Sequence, residues 1–85
     1  MADRITETTC WQVLDRFGRL TGRSVSRSWG DRSEGALHLS SESGVKRLRR
    51  HSGPGVADVG PGFTSWRELY GFLVGLCEAE YLRQS

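Results

Sequence analysis

The hydrophobic pattern is most regular in the last quarter of the chain, at residues 65–82, which read SWRELYGFLVGLCEAEYL. Ser65 and Glu68 have the spacing of a capping box, and the Gly-Pro-Gly at 60–62 excludes an earlier helix start. This pattern predicts an amphipathic α-helix over 65–82. At about 1.5 Å per residue such a helix is long enough to cross a small sheet.

The apolar positions of this helix cover more than half of its circumference, whereas a helix on one sheet usually needs a stripe of about 100°. Either loops from the middle of the chain cover the excess, or a partner protein or second subunit does. Two glycines form a Gly-x-x-x-Gly stripe, which suits close approach of another backbone, although chance in a glycine-rich chain also explains it. The candidate interface comprises Trp66, Tyr70, Gly71, Phe72 and Gly75.

Residues 9–29 fit two interpretations. Apolar residues at helical spacing, with Thr9 and Gln12 as a capping box, indicate a helix. Asp15 and Gly18 instead suit the first and last positions of a type I turn, and the sequence that follows is rich in strand-forming residues. We favour a β-hairpin, with strands at 9–15 and 18–28.

The register of that hairpin would place Cys10, Leu14 and Leu20 on the side that faces the helix. The opposite side would interleave arginines with indole rings, an arrangement suited to phosphates and stacked bases. A surface cation–π pair between Arg23 and Trp11 is the simpler interpretation. The residues of this second side are Trp11, Arg19, Arg23, Arg27 and Trp29.

The middle of the chain predicts further short strands. Alternating leucines at 36–40 indicate a half-buried strand, followed by a turn at 40–44. The segment 45–51 fits a returning strand or a short helix, and we favour the strand. Two Gly-Pro-Gly triplets bound 53–62, which therefore forms an edge strand or an extended loop.

Composition agrees with a small mixed fold, because eleven glycines and only two prolines point away from a helical bundle. We expect an α+β class: a single domain over residues 1–85, with 1–8 disordered or frayed. A small antiparallel sheet of three to five short strands would begin with the N-terminal hairpin. The C-terminal helix would pack on one face of that sheet.

Charge is unevenly distributed along the chain. Residues 16–50 carry nine basic and three acidic side chains, a net +6, whereas the segments before and after are each −2. A basic middle predicts an anionic partner, and the preference for arginine fits bidentate recognition of phosphate or carboxylate. The candidate binding residues are Arg19, Arg23, Arg27, Trp29, Lys46, Arg47, Arg49 and Arg50.

Motifs for catalysis or metal binding are absent from the sequence. Cys10, His38, His51 and Cys77 lack the close ligand pairs typical of zinc sites, and no nucleophile signature accompanies them. The two cysteines are expected to be buried hydrophobes. We therefore expect no enzymatic activity, no cofactor and no metal. The first residues lack a signal peptide, which predicts a cytoplasmic protein without membrane contact.

These observations predict a small non-enzymatic binding protein whose basic, aromatic-interleaved surface engages nucleic acid or a nucleoprotein complex. The alternative is a protein–protein adaptor or inhibitor that acts through the apolar C-terminal helix and forms a homodimer.

Overall fold

The structure is a computed structural model, and it describes residues 5–26, 35–52 and 55–85. Two helices pack on one face of a three-stranded antiparallel sheet of order β1-β2-β3. The elements are α1 (Glu7–Thr21), β1 (Leu37–Glu42), β2 (Val45–Ser52), β3 (Gly55–Phe63) and α2 (Trp66–Gln84). The expected α+β class, the antiparallel sheet and the C-terminal helix are thereby confirmed.

The predicted N-terminal hairpin is wrong, because residues 7–21 form the helix α1. Thr6 caps this helix: its hydroxyl accepts from the amide of Thr9, whose own hydroxyl accepts from the Thr6 amide. The sequence predicts residues 1–8 to be disordered or frayed, yet Thr6 caps α1 and residues 7–8 begin it. Residues 1–4 lie outside the described part of the chain. Gly22 ends the helix in the left-handed region, with φ 72°. These caps and a buried apolar face outweigh the turn preference of residues 15–18.

One consequence concerns Trp11, which the hairpin would have placed on an outer surface. In the structure Trp11 is buried with Cys10, Val13 and Leu14 in the core, and its indole N–H donates to Glu7 Oε2 at 3.1 Å. The predicted surface of arginines interleaved with indoles on a hairpin therefore does not exist. Arg27 and Trp29 lie outside the described residues.

Helix α2 begins as its sequence predicts. Ser65 is the N-cap, and its hydroxyl accepts from the Glu68 amide at 3.2 Å. The Glu68 carboxylate does not complete the box through the backbone but accepts from the Thr64 hydroxyl at 2.7 Å and from the Ser65 hydroxyl. These hydrogen bonds, that of Thr64 first, hold the pKa of Glu68 below its ordinary value. The negative charge also lies where the helix dipole favours it.

The core lies between the helices and the sheet. Each fully buried leucine stabilises the folded state by about 1.5–3 kcal/mol relative to a leucine left exposed to water. Because side chains alternate along a strand, Leu37, Leu39 and Leu48 share the face that the helices cover. The buried core residues are Cys10, Trp11, Val13, Leu14, Leu37, Leu39, Leu48, Leu69, Leu73 and Cys77.

The strand predictions are confirmed in kind: 36–40 lies largely in β1, 45–51 lies in β2 and not in a helix, and β3 is an edge strand. The β1–β2 connection is a two-residue turn at Ser43 and Gly44, both with positive φ, 52° and 78°. This is the turn geometry whose twist suits a hairpin.

At Gly60 the φ is 81°, and an added Cβ would lie 2.5 Å from the Phe72 ring, so β3 meets α2 at a glycine.

Glycines in the two helices differ in their surroundings, which allows a matched test. An alanine Cβ at Gly18 would lie 2.8 Å from Val25 Cγ2 and 2.9 Å from the Arg23 carbonyl oxygen, whereas at Gly71 it would meet no described atom within 4 Å. We expect Gly18→Ala to lower the free energy of unfolding by about 1–3 kcal/mol through overpacking. Gly71→Ala should raise it by about 0.5–1 kcal/mol, because alanine is the better helix former.

Urea denaturation followed by circular dichroism measures both changes. A Gly18→Ala variant as stable as Gly71→Ala would show that residues 23–25 do not pack against α1.

The two cysteines do not form a disulfide, and each thiol donates to a carbonyl of the other helix. Burial, with a smaller effect from Glu7, raises the pKa of Cys10 to about 11; burial also raises the pKa of Cys77.

At pH 8 we therefore expect both thiols to react with a disulfide reagent more than about tenfold more slowly in the native protein than in denaturant. Leu82→Cys, at a position that is 77% exposed, provides a fast-reacting control. Equal native rates for the parent and this control would contradict the assignment.

Candidate nucleic-acid interface

The end of α1 carries two of the predicted binding arginines, and the local backbone explains their position. After Gly22 the chain turns back, the Arg23 amide donates to the Gly18 carbonyl at 2.9 Å, and Val25 packs over Gly18. Only a glycine at position 18 permits this close return. Arg19 and Arg23 consequently line the same shallow groove of about 370 Å³. Its lining residues are Asp15, Gly18, Arg19, Gly22, Arg23 and Val25.

A second, smaller cleft of about 150 Å³ opens between the helices and the sheet. The core face of the sheet supplies its floor, one half-buried apolar side chain from each helix supplies its walls, and two exposed arginines stand at its mouth. The floor residues are Leu37, Leu48 and Val59, the walls are Phe17 and Leu76, and the mouth residues are Arg23 and Arg50.

Arg50 reaches this cleft because of the alternation along β2. It shares its side of the strand with Leu48, so it points toward the helical layer, yet it lies beyond the packed core and is exposed. Leu37 is its partner on β1 and forms part of the cleft floor. An arginine is thereby held at the edge of an apolar surface.

Arg23 lines both the groove and the cleft, and it therefore joins Arg19 to Arg50. We call these three residues the arginine strip. All three are exposed and form no ion pair with any residue in the described ranges. The structure thus brings together three of the eight residues predicted to bind an anion. Arg19 lies on a helix and not on the predicted hairpin, whereas Arg50 lies on a strand as predicted.

Two carboxylates lie near the strip. Asp15 lines the same groove as Arg19 and Arg23. Glu80 accepts from Arg83 and from the Gln84 amide, and these bonds, with a smaller effect from Arg23, lower the pKa of Glu80 to about 2. Glu80 is thus already hydrogen-bonded within α2.

Arg47 and Arg49 lie on the opposite face of the sheet, because they alternate with Leu48. Both are neutralised there: Arg47 Nη1 and Arg49 Nε each lie 3.0 Å from a carboxylate oxygen of Asp58. Glu42 is a further partner of Arg49 at 3.6 Å. The dense basic run of the sequence is consequently divided between two faces, and half of it serves in ion pairs on the sheet.

Lys46 lies apart from both groups. Its ammonium is 5.7 Å from the centroid of the Trp66 ring, and it donates to the Gly44 carbonyl. The position matches a cation–π contact at the beginning of α2. Lys46 is therefore far from the arginine strip, because it lies at the beginning of α2. The other end of α2 lies beside the end of α1, where the Gln84 side chain donates to the Leu20 carbonyl.

The candidate partner interface on α2 is largely occupied within the chain. Trp66, Tyr70 and Phe72 are half-buried and pack against the core, and the Phe72 ring lies 5.5 Å from that of Phe63. Within the described residues, the excess apolar arc packs against α1 on one side and against the sheet on the other. Gly71 and Gly75 face open space within the described structure.

Two histidines lie on the sheet face opposite the helices. The ring centroids of His38 and His51 are 4.7 Å apart, and both side chains are buried. Burial first, then the neighbouring His51 and Arg49, lowers the pKa of His38 from its ordinary 6.5. The fold therefore favours a neutral His38.

The described residues contain no group of three histidine, cysteine, aspartate or glutamate side chains that could hold a metal ion. Neither helix has an apolar stretch long enough to cross a membrane, within the ranges that the structure describes.

Phe17, Val59 and Leu76 are not among the candidate site residues that the sequence predicts. In a sequence each of them resembles any other core residue, and only their half-buried state beside Arg23 and Arg50 distinguishes them. The available signals are the helical spacing of Phe17 after Val13 and Leu14 and the place of Leu76 in the apolar arc of the C-terminal helix, and neither distinguishes a cleft wall from the core.

Comparisons with protein-family models, with curated proteins and with solved structures each find no match to this chain. Function is therefore inferred from the geometry of the described residues.

The histidine pair predicts a pH dependence of stability. Because the pKa of His38 is lowered by folding, the unfolded chain takes up a proton first as the pH falls. The free energy of unfolding therefore has its whole contribution from His38 above pH 6.5. This contribution is lost progressively as the pH falls from 6.5 to the pKa of His38 in the folded state. We expect His38→Gln to reduce the slope of unfolding free energy against pH in this acidic range. Urea titrations at a series of pH values measure it, and an unchanged slope would contradict the assignment.

Proposed function

We propose that this protein is a non-enzymatic binding protein whose arginine strip holds the phosphate backbone of a nucleic acid. The observation that supports this most strongly is the contrast between the two sets of cations. Arg47 and Arg49 are bonded to carboxylates on the sheet, whereas Arg19, Arg23 and Arg50 are exposed, contiguous and without ion pairs in the described structure.

The chemistry of the strip suits phosphate. A guanidinium presents a planar set of donors that matches the oxygens of a phosphate in a bidentate arrangement. Arg19 lies in the last turn of α1, where the helix dipole favours a positive charge, so the fold accommodates it at little cost. Arg23 and Arg50 extend the strip from that helix to the edge of the cleft.

The size of the strip limits the expected affinity and salt dependence. Three phosphate contacts predict a slope of log affinity against log salt of about −2 to −3. This is shallower than the slope of about −3 to −5 that four to six phosphate contacts would give. Binding of this kind is backbone-directed and carries no sequence preference by itself.

The alternative, an adaptor or inhibitor that dimerises through α2, has less support in the geometry. Packing within the chain already covers part of Trp66, Tyr70 and Phe72. Sedimentation velocity distinguishes the two functions, because the strip requires no second copy of the chain.

Charge reversal tests the proposal. We expect the double variant Arg23→Glu/Arg50→Glu to bind a fluorescein-labelled oligonucleotide at least about tenfold more weakly, and its salt slope to fall by about 2. Fluorescence anisotropy over a range of salt concentrations measures both quantities.

Arg67→Glu is the matched control, since Arg67 is an exposed arginine in the first turn of α2, at the end of that helix away from the strip. It should leave affinity within about twofold of the parent. Parent-like affinity and salt slope in the double variant would refute the strip, and so would an equal loss in the control.

A further inference from the structure

Phosphate binding by Arg23 and Arg50 does not account for the apolar cleft beside them. We infer that it receives one unpaired pyrimidine base of a single-stranded nucleic acid, while the two arginines bind the flanking phosphates. This inference rests on the proposed function and identifies the class of nucleic acid that the same site selects.

The volume of the cleft restricts its occupant to a single ring. Pockets for whole small molecules usually measure about 300–1,000 Å³, and this cleft measures about 150 Å³. A base in a duplex is paired and stacked, so it does not enter such a space without being extruded. A single strand presents unpaired bases at no such cost.

The lining of the cleft discriminates between bases by polarity. Its interior is formed by aliphatic side chains and the Phe17 ring, none of which donates or accepts a strong hydrogen bond. A pyrimidine can insert its C5–C6 edge, which is apolar and in thymine carries a methyl group. A purine would bury a ring nitrogen without a partner, at a cost in free energy.

The mouth of the cleft complements the outer edge of such a base. A pyrimidine inserted in this way keeps its polar groups and its sugar–phosphate backbone on the solvent side, where Arg23 and Arg50 stand. The apolar floor and the positive mouth therefore match an apolar ring attached to an anionic chain. Stacking of the base on Phe17 adds a contact of the kind that single-strand binding proteins use.

The test compares oligonucleotides of equal length and charge. The probes are fluorescein-labelled oligothymidylate, oligodeoxyadenylate and an abasic strand with the same number of phosphates. We expect oligothymidylate to bind about tenfold more tightly than the abasic strand, which keeps the phosphate contacts only. Oligodeoxyadenylate should bind close to the abasic strand.

A cleft-filling variant links this preference to the cleft. Leu76→Phe should reduce the preference for oligothymidylate over the abasic strand to about twofold or less, while its affinity for the abasic strand and its salt slope stay those of the parent. Leu82→Phe makes the same substitution at an exposed position of α2 and should keep the full preference. Circular dichroism of both variants verifies that they fold.

The outcomes separate the inference from the proposed function. Equal binding of oligothymidylate and the abasic strand, with a salt slope that depends on Arg23 and Arg50, would overturn the base cleft and leave the arginine strip. Failure to bind any of the strands would overturn both. A glutamate–leucine peptide that binds more tightly than oligothymidylate and loses affinity in Leu76→Phe would overturn the inference in favour of a protein ligand.

Discussion

The packing of α1 against α2 is the contact on which the rest of this structure depends. Cys10 and Cys77 lie at the seam, where each thiol bonds to a carbonyl of the other helix, and Leu14, Leu69 and Leu73 are fully buried beside them. Small thiols allow the two helices to approach closely. With α1 in this place, the apolar arc of α2 has two neighbours instead of one, and both helices fit on a sheet of only three strands.

The position of α1 also determines where its arginines lie. The helix ends at Gly22, and the following residues return over Gly18 to bridge the edge of β1 at Leu37. That return places Arg23 over the mouth of the cleft, next to Arg50 from β2. The strip is thus assembled from a helix, the segment after it and a strand. No two of its residues are neighbours in the sequence.

Strand alternation divides the basic run of β2 between the two faces of the sheet. Arg47 and Arg49 bond to Asp58 across the sheet, and exposed pairs of this kind contribute about 0–1 kcal/mol each. Arg50 points to the other face and has no such partner among the described residues. One stretch of sequence therefore supplies both the ion pairs of the sheet and the mouth of the candidate site. A count of charges along the chain does not reveal this division.

Features with local causes are readable from the residues alone: the capped C-terminal helix, the turn after β1, the strand with alternating leucines and hence the α+β class. Residues 9–23 needed the tertiary structure, because a turn preference at Asp15–Gly18 competed with a helical apolar pattern of similar strength. Burial of Cys10 and Leu14 in the core that α1 shares with α2 decided between them. That free-energy term depends on residues distant in the sequence, such as Trp66, whose carbonyl accepts from the Cys10 thiol. The cleft between Phe17, Leu48 and Leu76 and the nearness of Arg23 to Arg50 likewise arise only when distant segments pack together, since no local pattern encodes a space between them.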